Sequence, residues 1–171
     1  MLPSARSAIS LLPENITSDF PYTTGTSNSW KPVEYGKSEV MYTGNNDIAL
    51  LALGSMVAAA DNVRNSLMAE GYTVTLVNAR FVKPIDKDMI DAVCQNHKLI
   101  VTLEENVSSG GFGRTVCQYV SDSEYNTHVL SISLPDDYIE HGSVDILRRE
   151  TGIDEESVIK RINECYTKIR E

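Results

Sequence analysis

Three short, unbroken apolar runs constrain the fold of this 171-residue chain more than any other feature. They lie at residues 48–53 (IALLAL), 73–77 (TVTLV) and 99–103 (LIVTL). Such runs are typical of strands buried on both faces, as in a parallel sheet covered by helices. The segments between them, 56–70 and 86–96, have the length and periodicity of crossover helices. Two successive βαβ units therefore predict a doubly wound α/β sheet.

Further elements are predicted around this core. Residues 36–42 are expected to form a strand, and the turn after it, Gly44-Asn45-Asn46, is too short for a crossover. This spacing predicts an antiparallel hairpin whose first strand lies at an edge. Residues 129–133 are predicted to form a fourth core strand. Ser55 and Asp86 are well placed to cap the two crossover helices.

Residues 1–35 differ in character from the rest of the chain. Four prolines and a stretch rich in Thr, Ser and Gly at 23–29 interrupt them. We therefore expect an irregular leader arm at 1–35 and a folded domain at 36–171. Pro3 and Pro13 break the amino terminus, which argues against a signal peptide. Together with the lack of any apolar run of about 20 residues, this predicts a cytoplasmic location.

The charge of the chain excludes two classes of partner. Its net charge is −9 and its pI is about 4.8, whereas nucleic acids and anionic membranes need a positive surface. The three cysteines lie far apart, form no C-x-x-C pair and have no metal-ligand spacing with the three histidines. Reduced thiols and no metal site are therefore expected.

Two groups of residues suggest an anion site. Arg80 and Lys83 follow the second core strand, at the edge where open α/β sheets place their ligands. Gly110, Gly111 and Gly113 open a helix after the third strand, where backbone N–H groups could hold a phosphate. The alternative is that these glycines only let the loop and helix pack closely. We favour it, because G-G-x-G lacks the dinucleotide spacing and two carboxylates precede the loop.

His141 is the candidate catalytic residue, since it lies in a loop before a glycine. The alternative is a hydrogen-bonded turn residue. No Ser-His-Asp, Cys-His or P-loop spacing occurs in the sequence. Glu104 and Glu105 are adjacent on a strand, so they point to opposite faces and do not form a catalytic pair.

Arg80 is also expected to form a structural ion pair. Consecutive βαβ units usually place their strands side by side, which brings the end of the second core strand beside Glu104 and Glu105. Arginine holds a carboxylate through two parallel hydrogen bonds. We therefore predict an Arg80–Glu104 or Arg80–Glu105 pair that orders the turn at 80–86.

Four segments of the chain contain distinctive sequence motifs. They are VEYGKSEVMYTGNNDIALLALGSMV (33–57), VTLVNARFVKPID (74–86), HKLIVTLEENVSSGGFGRTV (97–116) and SLPDDYIEHGSVDILRRETGID (133–154). Together and in this order, they resemble the carboxyl-terminal domain of the transketolase superfamily of thiamine-diphosphate enzymes. Within that superfamily they are most similar to the 1-deoxy-D-xylulose-5-phosphate synthases.

The resemblance implies a three-layer αβα domain with a five-stranded, mostly parallel sheet and one antiparallel edge strand. It implies a transferase reaction, in which pyruvate is decarboxylated on thiamine diphosphate and joined to glyceraldehyde 3-phosphate to feed isoprenoid synthesis. Upstream domains hold thiamine diphosphate and Mg²⁺ in this family, so no cofactor is expected on this chain. The expected partners are those domains and a second copy, as a homodimer, and the chain alone is expected to be inactive.

One segment departs from the family. Where the family has an Arg-Tyr-Pro-Arg-Gly word that contacts substrate phosphate, residues 20–25 read FPYTTG and lack both arginines. This departure leaves a second interpretation open. The chain is then a non-catalytic split or degenerate subunit of the same superfamily that acts as an interaction module.

Overall fold

The computed structural model describes residues 33–170. The chain divides into two units, Met1–Tyr35 and Gly36–Glu171, and the second is described below. Residues 1–32 of the predicted leader arm lie outside the described residues, so the arm stays a prediction. No helix of the described part is long and apolar enough to cross a membrane.

Residues 33–170 contain five strands and five helices, at the positions predicted to within a few residues. In chain order they are β1 Glu39–Tyr42, β2 Asn46–Ala52, α1 Met56–Ala69, β3 Val74–Asn78, α2 Lys87–Asn96, β4 His97–Val107, α3 Phe112–Ser121, β5 His128–Leu134, α4 Val144–Thr151 and α5 Glu155–Arg170.

The five strands form one sheet in the order β1-β3-β2-β4-β5. β2 pairs in parallel with both β3 and β4, and β4 pairs in parallel with β5. β1 is antiparallel to β3 and lies at the edge. The predicted mixed sheet with one antiparallel edge strand is therefore confirmed.

The helices cover both faces of the sheet, which gives three layers. α1 and α5 pack on one face, where Leu50, Leu76 and Leu103 are fully buried. α2 and α3 pack on the other face, over Ala49 and Ile100. Because both faces are covered, the central strands are largely apolar at successive positions rather than only at alternate ones.

The predicted hairpin between β1 and β2 is wrong. β3 lies between these two strands, so β1 pairs with β3 instead. The turn contacts β3 directly: Gly44 N–H donates to Thr75 Oγ1 at 2.9 Å, and that hydroxyl donates to Gly44 O at 2.7 Å. A Cβ at Gly44 would lie 2.6 Å from the Val74 backbone, so this close crossing requires glycine.

Candidate functional site

The sheet reverses its order of winding at β2. β3 lies on one side of β2 and β4 on the other, and the helices that follow β2 and β4 pack on opposite faces. In open α/β sheets the crevice at the carboxyl ends of two such strands is where ligands bind. The residues after β2 and at the end of β4 therefore define the candidate site.

An internal polar cluster occupies this crevice. Ser55, which follows β2, donates its hydroxyl hydrogen bond to Glu105 near the end of β4. Arg148 of α4 approaches the same carboxylate, with Nε 2.7 Å and Nη2 2.6 Å from Glu105 Oε1. The cluster thus joins β4, the β2–α1 loop and α4. Ser55 was expected to cap α1, but its side chain makes no capping bond because the hydroxyl faces Glu105.

The environment of Glu105 favours its charged form. Partial burial raises the pKa of Glu105, but the hydrogen bonds from Ser55 and Arg148 outweigh it, so the pKa lies below its ordinary value of 4.5. A carboxylate with a lowered pKa stabilises the fold above about pH 4.5, and this contribution is lost as the pH falls through the folded-state pKa.

Glu105→Gln is therefore expected to lower the free energy of unfolding near neutral pH by up to about 1 kcal/mol, since the side chain is partly exposed. The difference from the native chain should shrink at acidic pH, where the native carboxylate is protonated. Urea unfolding between about pH 7 and pH 3 measures it. Glu124→Gln, at an exposed position, is the matched control. A constant difference at every pH would contradict the prediction.

Glu104 points to the opposite face and caps α3. Its side chain is only 1 % exposed. Glu104 Oε2 accepts from the N–H of Phe112 at 2.9 Å, and Oε1 accepts from the N–H of Gly113 at 2.7 Å. A carboxylate is favoured here because the amino end of a helix carries partial positive charge.

The glycines of the loop allow this close approach. A Cβ at Gly111 would lie 2.7 Å from Glu104 Oε1 and 2.6 Å from Val107 O. The structure therefore supports the close-packing alternative at Gly111 and Gly113. The predicted phosphate cradle needs a correction, because the N–H of Gly113 already donates to Glu104.

The predicted ion pair of Arg80 with Glu104 or Glu105 is wrong. Arg80 pairs with Glu39 of β1 instead. The physical reason is the strand order: β2 separates β3 from β4, so the residue after β3 meets the neighbouring edge strand. Arg80 is therefore not available to the predicted anion site either.

Lys83 and Gly110, the other members of that predicted site, line one groove. It lies between residues 82–85 and α3 and has a volume of about 690 Å³. Lys87 and Arg114 line the same groove. Sequence reasoning missed these two cations, and it also missed Arg148. Each is an ordinary helix residue whose importance depends on elements far away in the chain.

His141 does not join any of these groups. It is exposed in the loop before α4, and its side chain makes no hydrogen bond or ion pair with another residue of the range 33–170. Its catalytic role stays a prediction.

Burial raises the pKa of the Cys94 thiol to about 11, so Cys94 is protonated at neutral pH. Among the described residues, no group of three or more His, Cys, Asp or Glu side chains is arranged to hold a metal ion.

The chain matches a family of known proteins over most of this unit. The model of the family "Transketolase, C-terminal domain" matches residues 36–158. The chain belongs to the transketolase carboxyl-terminal domain family. The match covers all five strands, the helices α1 to α4 and the cluster of Ser55, Glu105 and Arg148.

Similar proteins refine this assignment. The 1-deoxy-D-xylulose-5-phosphate synthases of Lachnoclostridium phytofermentans and Clostridium tetani are 40% and 41% identical to the chain, over 81% and 77% of its length. The chain spans only 22% and 21% of those relatives. These matches confirm the predicted resemblance to the carboxyl-terminal domain of such synthases.

A solved structure with a similar fold is described as a split gene transketolase, inactive beta4 tetramer. It superposes with a TM-score of 0.70 at 27% identity, covering 79% of this chain and 43% of that one.

Proposed function

We propose that this chain works as the carboxyl-terminal domain of a 1-deoxy-D-xylulose-5-phosphate synthase. Under this proposal it is inactive alone and serves assembly with the domains that hold thiamine diphosphate and Mg²⁺. The reaction joins pyruvate and glyceraldehyde 3-phosphate, with release of CO₂, in a cytoplasmic homodimer. Similarity to synthases several times longer than the chain supports the activity.

An uncovered apolar surface supports the assembly role. α4 has no buried residue. Val144 and Ile146 on α4 are 59% and 55% exposed, and Tyr138 in the preceding loop is 87% exposed. We name these three residues the α4 surface. These three exposed side chains fall within residues 138–146, and a helix that buries none of its residues within the domain is expected to bury apolar ones against another protein.

The position of the α4 surface also suits an assembly role. The ion pair between Arg148 and Glu105 fastens α4 to the crevice at the switch point. A partner that covered this surface would therefore contact the domain beside the edge where α/β proteins bind ligands. This arrangement favours the cofactor-binding domains as the partner.

Activity and binding measurements test the proposal together. The chain alone, with pyruvate, glyceraldehyde 3-phosphate, thiamine diphosphate and Mg²⁺, should form no product. Adding a polypeptide with the family's Gly-Asp-Gly cofactor motif should give a complex and restore turnover. Ile146→Asp should prevent the complex while changing the free energy of unfolding by no more than about 0.5 kcal/mol.

Met68→Asp is the matched control, because Met68 is an apolar residue of α1 that is 47% exposed. It should leave the complex intact. Turnover by the chain alone would contradict the proposed inactivity. A complex that tolerates Ile146→Asp would contradict assembly through the α4 surface.

A second candidate function is a non-catalytic split or degenerate subunit of the transketolase superfamily. The likeness to a split gene transketolase that forms an inactive tetramer favours it, as does the FPYTTG segment at 20–25. Purification from the native source separates the two candidates. A Gly-Asp-Gly motif on a separate polypeptide supports the split subunit, whereas the motif on the same polypeptide supports the synthase domain.

A further inference from the structure

The groove between residues 82–85 and α3 gathers positive charge on a chain whose net charge is −9. Lys83, Lys87 and Arg114 line it, with Asp122 as the acidic residue of its lining. Within residues 33–170, none of the three cations forms an ion pair, whereas Lys37, Arg80, Lys98 and Arg148 do.

Three acidic residues lie close in sequence to Lys87, and each of them has a partner of its own. Asp86 and Asp88 both pair with Lys37, at 3.5 Å and 2.5 Å. Asp91 accepts a hydrogen bond of 2.9 Å from the hydroxyl of Tyr119. Asp86 and Asp88 are therefore offset by Lys37, whereas Asp91 keeps its charge beside Tyr119 at the margin of the groove.

Asp122 neutralises the groove only in part. Its Oδ1 accepts a hydrogen bond of 2.7 Å from Nε2 of Gln118. The side chains that line the groove thus carry three positive charges and one negative charge. Like charges that share a groove repel each other, and a bound anion removes this cost.

Three backbone amides at the starts of the two helices beside the groove already have partners. The amino end of α3 donates to Glu104, as described above, and the N–H of Met89 in α2 donates to Asp86. The charged groups that the groove offers to an anion are the side chains of the three cations. This restricts the site to a ligand group with several acceptor oxygens.

The other wall of the groove is apolar. Val82, Pro84 and Ile85 line it, together with Tyr119. The ammonium of Lys87 lies 5.2 Å from the centre of the Tyr119 ring, so the ring and the cation adjoin each other. A volume of about 690 Å³ lies within the range of small-molecule sites, which runs from about 300 to 1,000 Å³.

We infer that this groove binds a small organic phosphate. The phosphate contacts Lys83, Lys87 and Arg114, and an apolar or aromatic body lies against Tyr119 and the 82–85 turn. A phosphate dianion matches an excess of cations better than a carboxylate monoanion does. This inference does not depend on the proposed synthase activity, because the groove lies wholly within the described unit.

Titration of the full 171-residue chain with phenyl phosphate tests it, with ¹H–¹⁵N spectra to locate the contact. Phenyl phosphate should bind in the millimolar range or tighter and shift the signals of residues 82–87 and 110–119. Inorganic phosphate should bind more weakly because it lacks the apolar body, and benzoate more weakly because it carries one charge. Phenol, which has no charge, should not bind.

A pair of charge-matched variants makes the test specific. Lys83→Gln/Arg114→Gln should weaken binding of phenyl phosphate by about tenfold. Lys160→Gln/Lys168→Gln removes the same charge from α5, on the opposite face of the sheet, and should leave the affinity unchanged. Equal weakening by both pairs would show only a general charge effect and overturn the inference. Equal binding of benzoate and phenyl phosphate, or shifts confined to other residues, would also overturn it.

Discussion

Replacing Glu104 with alanine is expected to lower the free energy of unfolding by about 3 kcal/mol or more. The carboxylate is 1 % exposed and accepts two backbone hydrogen bonds at the start of α3. Its removal leaves the N–H groups of Phe112 and Gly113 unpaired in a buried place. Burying an unpaired polar group costs about 1–3 kcal/mol, and the lost side chain also leaves a cavity.

Glu105→Ala is the matched control, since it removes the same side chain from the next position of the strand. Glu105 is partly exposed, with a side chain 32% accessible, so water can replace it as the partner of Arg148. Urea unfolding should give a clearly smaller loss for Glu105→Ala. Hydrogen exchange should speed up at the Phe112 and Gly113 amides only in Glu104→Ala. Equal losses for the two variants would contradict the capping role of Glu104.

Gly113→Ala is expected to lower the free energy of unfolding by about 2–3 kcal/mol. A Cβ at this position would lie 2.5 Å from Thr102 Oγ1 and closer still to Ser131 Oγ. Thr102 and Ser131 are register partners on β4 and β5, so the sheet fixes their backbones and the hydroxyls can move away only by a change of χ1 rotamer. The loss should occur although alanine favours a helix over glycine by about 1 kcal/mol.

A double-mutant cycle identifies the cause. Within the described residues, neither hydroxyl has a hydrogen-bond partner, so Ser131→Ala alone should cost little. Gly113→Ala/Ser131→Ala should then recover a large part of the loss, because the closest atom is gone. Gly142→Ala, whose Cβ would meet only the flexible end of Leu147 at 3.2 Å, is the control. Additive losses in the double variant would show that the contact with Ser131 is not the cause.

The elements of the fold could be predicted because their signals are local. Apolar runs without alternation mark strands buried on both faces, and three- to four-residue spacing marks the helices that cover them. Asp86 was expected to cap α2, and its side chain accepts from the N–H of Met89. Gly71 was expected to end α1, and it has a positive φ of 95° just after the helix. Each of these features depends on residues a few positions apart.

The partners of the charged residues could not be predicted in this way. Arg80 was assigned to a carboxylate of β4 on the assumption that consecutive strands are neighbours. The chain instead returns over β2, and Arg80 pairs with Glu39. The same strand order places Glu105 beside Ser55 and Arg148, which lie 50 and 43 positions away in the sequence. A sequence pattern within one segment does not predict on which side of β2 the next strand pairs.

The sequence by itself thus determined the α/β class, the order of the elements and the family, because periodicity, turn residues and motif words are properties of short segments. The tertiary structure alone decided the strand order, and with it which side chains meet at the carboxyl edge of the sheet. In the folded structure Glu104 occupies an amide of the predicted phosphate site, because its carboxylate contacts α3 once β4 and the glycine loop pack together. The tertiary structure also brought Lys83, Lys87 and Arg114 to one groove, because α2 and α3 lie on the same face of the sheet.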